Sequence, residues 1–459
     1  MLRSEHYTPD EIATLLSKEK NIYFIGIGGV SMSSLAEITA KAGCRVAGSD
    51  RVLSALTDAL TKDGIKVYEG HNAENCRGFT VFAYNSAIHE DNPEYAYAKK
   101  NGYTLIHRAD LLGYVVTFFD ISVGVAGTHG KSTSTAMLGS ALEAAGLDPT
   151  VLNGAVMRDI NSTYRRGSDK CLCFEACEYT DSFLSFYPKI ALVLNIGYDH
   201  ADYFKTANDY IASFKKYISQ SPCAVVNVDS ESGRKAVQGY TGKLVTCSLN
   251  GSADVYAENL NTDGLPEFDA MYKGKKYAHI KLGVYGMHNV CNALCCIGAC
   301  IMLGIDGGAA AEGISKFKGV ARRFELKGEY NGAKIYDDYA HHPDEIKATL
   351  SIARKCTKGR LYVAFQSHTY SRTKKFYTDF INAFESCDEV IYCDIYPARE
   401  VDTLGMSAEK LAADTSNGVY KGDFHGAAAY LKSILKPDDA AVIMGAGNAN
   451  AVIIQDLIK

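Results

Sequence analysis

The stretch Gly124-Val-Ala-Gly-Thr-His-Gly-Lys131-Ser132-Thr133 constrains this chain more than any other. It follows an apolar segment, Phe118 to Val125, and runs into a segment, 133–145, that reads as a helix. Strand, glycine turn, Lys-Ser and helix make the layout of a phosphate cradle. Backbone N–H groups and a helix N-terminus bind the phosphates, the lysine adds a point charge, and the hydroxyl meets Mg²⁺. The chain is therefore expected to bind a nucleoside triphosphate from the middle of its sequence. The strict G-x-x-x-x-G-K-[ST] spacing fails, because Val125 stands where the first glycine belongs. The working loop is Gly127, Thr128, His129, Gly130, Lys131, Ser132, with Thr133 opening the helix. A turn that merely joins a strand to a helix is the bland alternative, and Gly-Lys-Ser-Thr in this setting weighs against it.

A length of 459 residues suggests about three domains, and 47% apolar residues can fill substantial cores. A net charge of −5 gives no basic footprint for nucleic acid. Residues 1–20 are polar and mixed, unlike a secretory signal, and no apolar run reaches the roughly 20 residues that span a bilayer. A cytoplasmic protein without membrane insertion, either a monomer or a homodimer, is expected. Fourteen cysteines are present. Cys291, Cys295, Cys296 and Cys300 recur at i, i+4, i+5 and i+9 among Ala, Leu, Ile and Met, which predicts a buried helix face rather than a metal site. No C-x-x-C pair occurs, so the thiols read as structural in a reducing compartment.

The organisation is α/β. Strands are expected over 21–27, 44–48, 65–69 and 80–83, with helices over 33–42 and 57–63. A second unit starts near Ile121, with strands over 121–126, 170–176, 190–196 and 224–228. A third starts near Ala321, with strands over 334–337, 361–365, 389–393 and 440–444. Alternating strands and helices imply parallel sheets with ligands at the strands' carboxyl ends.

Gly26-Ile-Gly28-Gly29-Val-Ser31 lies between a strand and a helix, with Asp50 about 20 residues on. A dinucleotide site, another diphosphate ligand and a tight turn all fit it. Glu175 and Glu178 follow an apolar strand. Glu175, at the strand end, is the carboxylate expected to meet a magnesium ion beside the phosphate loop. His200, after the next strand, suits a second metal or a phosphate. Arg322 and Arg323 open the third segment and can reach phosphate oxygens. Asp337-Asp338-Tyr339-Ala340-His341-His342 follows a strand and reads as ligand-binding, while His368 and Arg372 suit a carboxylate.

Taken together these motifs resemble the Mur ligases, the ATP-dependent amide-forming enzymes of peptidoglycan assembly. The match runs from Ile22 to about Asn448. It rests on Phe24-Ile-Gly-Ile-Gly-Gly29, Gly48-Ser-Asp50, Ala126-Gly-Thr-His-Gly-Lys-Ser132, Glu175-Ala-Cys-Glu178, Asp199-His200, Met287-His-Asn289 with Asn292, Arg322-Arg-Phe324, Asp337-Asp-Tyr-Ala-His-His-Pro343 and Asp394-Ile-Tyr-Pro-Ala398.

The resemblance implies an α/β fold of three domains. A Rossmann-like N-terminal domain (1–119) would hold the UDP-sugar. A central P-loop-type ATPase domain (120–321) would bind ATP, and a C-terminal Rossmann-like α/β domain (322–459) the amino acid. It implies that L-alanine is joined to the lactyl carboxylate of UDP-N-acetylmuramate through an acyl phosphate, with ATP and Mg²⁺. Gly28, Gly29, Asp50, His71 and Ser86 would line the sugar-nucleotide site. Lys131 would sit on the phosphates, Ser132 and Glu175 on one magnesium, and His200 near a second. His288, Asn289 and Asn292 would help hold the nucleotide, Arg323 and Asp337 would reach it, and His342 and Arg372 would bind L-alanine.

The chain departs from the family at Ser31 and Ser34, where glycine is usual, and at Gly197, where glutamate is common. Cys177 stands in place of an aspartate, and Ser367-His368-Thr369 in place of Pro-His-Arg. The alternatives are a related ligase that attaches a recycled peptide to the same sugar nucleotide, a nucleotide-binding regulator that has lost catalysis, and an NAD-dependent oxidoreductase that would leave Lys131-Ser132 unexplained.

Overall fold

The computed structural model describes residues 6–200, 203–251, 253–398 and 400–458. The first five residues and Lys459, at the outer limits of the expected first and third domains, lie outside the described residues.

Strands β1 (Asn21–Ile25), β2 (Arg45–Asp50), β3 (Lys66–Glu69), β4 (Val81–Tyr84) and β5 (Thr104–His107) form a parallel sheet in the order β3-β2-β1-β4-β5. Ile22, Tyr23, Phe24 and Ile25 are all buried, as expected of a strand covered on both faces. From β1 the sheet grows toward β2 on one side and β4 on the other. This reversal opens a crevice beyond the carboxyl ends of the strands.

The second sheet holds β6 (Ile121–Ala126), β7 (Thr150–Met157), β8 (Ser162–Arg165), β9 (Cys171–Glu175), β10 (Ile190–Val193), β11 (Cys223–Asn227), β12 (Lys243–Ser248), β13 (Val255–Asn261), β14 (Glu267–Tyr272) and β15 (Lys275–Lys281). Their order is β15-β14-β13-β12-β11-β10-β6-β9-β7-β8. The helix Met287–Met302 buries Cys295, Cys296 and Cys300, while Cys291 is only half-buried. Gly298 lets this helix approach the sheet, since a Cβ there would lie 2.6 Å from Val225 Cγ1 and 3.0 Å from Cys247 Sγ.

The third sheet holds β16 (Glu325–Tyr330), β17 (Ala333–Asp338), β18 (Leu361–His368), β19 (Glu389–Tyr396), β20 (Gly418–Gly422) and β21 (Ala440–Gly445). They run β16-β17-β21-β18-β19-β20, with β16 antiparallel to β17 and the other pairs parallel.

The expected three-sheet α/β architecture is present, but the chain divides into two compact units. The first comprises 1–260, 267–283 and 289–317, and the second 261–266, 284–288 and 318–459. The first two sheets thus share one unit. Helix Arg108–Val116 is the reason: Gly113 packs its bare Cα against the Ser185 carbonyl, and Ser185 Oγ donates to buried Asp110 at 2.7 Å.

Two helices begin earlier than the sequence pattern suggests. The first starts at Val30 rather than Ser33, with Gly29 as its N-cap. The other starts at Lys131 rather than Thr133, because Gly130 at φ +85° caps it. Among the described residues no helix is long and apolar enough to cross a membrane.

Candidate active site

The loop after β6 bends through Gly127 at φ +146° and Gly130 at φ +85°, conformations that favour glycine. It is tied down from outside. Asn195 accepts from the His129 N–H at 2.9 Å and donates back to the His129 carbonyl at 2.8 Å. Thr128 Oγ1 donates to the Gly197 carbonyl at 2.8 Å and accepts from the Gly197 N–H at 3.0 Å. On the other side, a Cβ at Gly130 would lie 2.8 Å from Asn292 Oδ1. Asn292 is buried and donates to Asn289 Oδ1 at 3.0 Å. The backbone of an anion cradle is therefore set before any ligand arrives.

Lys131 Nζ folds back on this loop, donating to the carbonyls of Gly127 (2.6 Å) and Thr128 (3.2 Å). Its counter-ion is Glu178, whose Oε2 lies 2.9 Å away. His200 Nε2 stands 3.4 Å from Glu178 Oε1, and Tyr210 Oη donates to the same oxygen at 3.3 Å. Burial alone would raise the Glu178 carboxyl; Lys131 and the His200 hydrogen bond outweigh it and hold the group below its ordinary value. Burial likewise opposes the charge on Lys131, and Glu178 overcomes it, so the ammonium titrates above its usual range. An ionised pair, with Glu178 wholly buried and Lys131 partly so, thus sits at the helix N-terminus.

Glu175, the carboxylate expected on magnesium, is placed differently. Its Oε1 accepts the Gly154 N–H at 2.5 Å. The carboxylate that reaches Lys131 and His200 is Glu178, three residues on. The chain has left β9 there and turns through Thr180 and Asp181, both at positive φ. Glu178 shares a four-residue motif with Glu175, and the two carboxylates sit on different partners. Two departures are structurally mild. A Cβ at Gly197 would meet nothing within 4 Å. Ser34 is buried and turns its hydroxyl onto its own helix, to the Ser31 carbonyl at 3.1 Å.

At the first crevice, Gly28 donates its N–H to Asp50 Oδ2 at 2.8 Å, and a Cβ at Gly28 would lie 2.9 Å from that oxygen. Asp50 therefore braces the loop by the very group expected to meet a diphosphate, whereas Gly29 has ordinary clearance. Ser31 Oγ accepts from Arg108 at 3.2 Å. Ser86 Oγ lies 3.2 Å from His107 Nε2, and His71 Nδ1 lies 3.0 Å from Glu94 Oε2. Asp50 closes β2, and His71 and Ser86 follow the carboxyl ends of β3 and β4, as the topology requires.

In the second unit, Arg322 Nη2 donates to the Gly445 carbonyl at 2.5 Å, while Arg323 keeps a guanidinium one-third exposed, 3.8 Å from Glu345. Both guanidinium groups lie over the Tyr339 ring. Asp337 is buried and accepts from Asn450 at 2.6 Å; its carboxyl is raised by burial. Asp338 braces the turn, accepting from the N–H groups of Phe324 (2.6 Å) and Ala340 (2.8 Å), and burial lifts it to about 6. His342 caps helix Pro343–Cys356, its Nδ1 accepting the Asp344 N–H at 3.3 Å. His341, part of the run 337–342 expected to bind a ligand, shares an electrostatic neighbourhood with Arg372 and Glu345; burial lowers it to about 4. Its ring lies 5.9 Å from that of His368, which stacks on Tyr396. His288 also belongs to this unit, whereas Asn289 and Asn292 belong to the first.

Three family models match the chain in succession. They are the Mur ligase family catalytic domain over 21–119, the Mur ligase middle domain over 125–300, and the Mur ligase glutamate ligase domain over 322–447. UDP-N-acetylmuramate–L-alanine ligase of Agathobacter rectalis is 42% identical, covering 96% of this chain and 98% of that protein. Its counterpart in Caldanaerobacter subterraneus is 42% identical, covering 94% and 96%. The crystal structure of UDP-N-acetylmuramate–alanine ligase from Thermotoga maritima superposes with a TM-score of 0.79 at 25% identity, over 95% of this chain and 98% of that one. A murein peptide ligase from Psychrobacter arcticus shares the fold, with a TM-score of 0.69 at 23% identity over 95% and 98%. With its phosphate loop, its Lys131–Glu178 ion pair and these matches along nearly its whole length, the chain belongs to the Mur ligase family of ATP-dependent ligases.

Proposed function

We propose that this enzyme joins L-alanine to the lactyl carboxylate of UDP-N-acetylmuramate, in the cytoplasmic assembly of peptidoglycan precursors, at the expense of ATP. The observation that carries the chemistry is the Lys131–Glu178–His200 cluster at a helix N-terminus beside a glycine loop. The choice of substrates is supported by the relatives named above.

A carboxylate does not condense with an amine unactivated. The lactyl carboxylate oxygen attacks the γ-phosphorus of ATP, and the bond to the ADP oxygen breaks. The acyl phosphate so formed is attacked by the neutral α-amine of L-alanine. The C–N bond forms, the C–O bond to phosphate breaks, and the amine proton leaves with solvent or a base. Loop N–H groups and Lys131 bind and orient the phosphates, as electrostatic positioning dominates phosphoryl transfer.

The donor set suits magnesium: Glu178 Oε2 is buried with no hydrogen-bond partner among the described residues beyond its ion pair with Lys131, and Ser132 lies in the first turn of the helix. Ser132, Glu178 and His200 are the residues that would hold it. A bound magnesium supplies charge neutralisation for the phosphoryl oxygens. Asn292 and Asn289 shape the loop, with His288 beside Asn289 in sequence. Arg323 and Asp337 keep their proposed service to the nucleotide, Asp337 by anchoring rather than by contact. Arg372 would take the carboxylate of L-alanine, with His342 ordering the neighbouring turn.

The decisive experiment is ADP release with UDP-N-acetylmuramate and each amino acid in turn, beside Lys131→Ala. L-Alanine should support turnover and the variant should not. Turnover with a tripeptide instead of L-alanine would establish the peptide-recycling reading, and ATP binding without phosphate release the regulatory one.

A further inference from the structure

The first crevice has a buried group behind it that the reaction does not use directly. Glu94 begins helix Pro93–Lys100, where Asn92 caps the helix by accepting the Glu94 N–H at 2.9 Å. Its side chain is wholly buried. Every partner of its carboxylate is a donor. Oε1 accepts from Tyr23 Oη at 2.9 Å, the Asn72 N–H at 3.2 Å and Asn75 Nδ2 at 3.4 Å. Oε2 accepts from Ser49 Oγ, and it lies 3.0 Å from His71 Nδ1. Ser49 Oγ is itself 2.8 Å from His71 Nδ1. Because the Ser49 proton points at Glu94, the serine oxygen can only accept from the imidazole. Both atoms that face Nδ1 therefore require a proton there, which leaves Nε2 as the nitrogen that faces a ligand.

We propose that Glu94 is a positioning residue for sugar-nucleotide binding. With Ser49 it keeps the His71 proton on Nδ1 and leaves Nε2 as a bare lone pair that accepts from an N–H or hydroxyl of the sugar nucleotide. This rests on the reading of His71 as part of that site. The arrangement is that of a ligating histidine oriented from behind by a carboxylate, here offering its lone pair to a hydrogen-bond donor of the nucleotide in place of a metal.

The substitution Glu94→Gln tests it sharply. Three donors at the Oε1 position hold the amide oxygen there, so the amide NH₂ takes the Oε2 position and faces Nδ1. The imidazole must then move its proton to Nε2. In steady-state assays of the full enzyme at saturating ATP and L-alanine, E94Q should raise the KM for UDP-N-acetylmuramate about tenfold and change kcat less than about twofold. In an H71A background, E94Q should add less than about twofold. Nitrogen-15 shifts of the His71 ring, assigned by their loss in H71A, should show Nδ1–H in the parent and Nε2–H in E94Q. Ser49→Ala gives a milder probe should E94Q fold poorly: a smaller KM rise, again absent in H71A. If H71A leaves the KM unchanged, the placement of His71 in the crevice falls, and this proposal with it. If H71A raises the KM but E94Q does not, or E94Q acts equally in both backgrounds, only the role of Glu94 is overturned.

Discussion

Glu178 Oε2 lies 2.9 Å from Lys131 Nζ, while Glu175, three residues earlier, gives its carboxylate to the backbone of Gly154. The two acids therefore have different work, one at the phosphate loop and one bracing a neighbouring strand. Glu178→Gln is expected to lower kcat for ADP release by about 10²–10³-fold, the scale on which a group aimed at developing charge acts. Glu175→Gln still accepts from Gly154 and should cost less than about tenfold on the same scale. Equal losses in the two variants would return the metal site to Glu175.

Gly130→Ala places a methyl group 2.8 Å from Asn292 Oδ1 at a φ of +85°. Strain and crowding together should cost about 1–3 kcal/mol of stability, read from denaturant unfolding. ATP affinity, measured by calorimetry, should fall as well, because the shifted residue caps the binding helix.

Gly197→Glu restores the acid common in the family. Open space surrounds the position and its backbone bonds to Thr128 need no glycine. Stability should stay within about 0.5 kcal/mol of the parent, as for other surface changes. Any gain in magnesium affinity, measured by titration of activity, then reports the carboxylate itself.

His341 is held neutral by burial, with a folded value of about 4 against an ordinary 6.5. Its contribution to stability is fully present above pH 6.5 and is lost as pH falls through 4, because the unfolded chain binds the proton more readily. His341→Asn should therefore flatten the acid limb of the stability curve between pH 6.5 and 4. The difference from the parent should approach about 3 kcal/mol. Asp338 runs the other way. Lifted to about 6, it favours the fold fully below about 3.8 and loses that contribution as pH rises through 6.

The glycine loops and the parallel strands were legible because their signals are local. An apolar run ending in glycine and leading to a helix needs no distant partner, and β6 spans Ile121–Ala126 as its residues suggest. The pairing of Glu178 with Lys131 was not legible. The left-handed turn at Thr180 and Asp181 redirects the chain after β9, and no pattern in the neighbouring side chains announces it. The His71–Glu94 pair joins residues 23 apart across a sheet, a meeting that topology alone produces. Strand β13 escaped notice because Glu258 and Asn259 are exposed in succession, with Asn259 at a positive φ, which breaks the two-residue alternation.

The thiols give each sheet its own reporter. Burial pushes Cys76 up to about 12 beside the first sheet, Cys171 to about 11 in the second, and Cys387 and Cys393 to about 12 in the third. An alkylating reagent at neutral pH needs thiolate and access, and the folded protein denies both at these positions. Labelling rates followed by peptide mass mapping would then record, without any engineered probe, the order in which the three layers open.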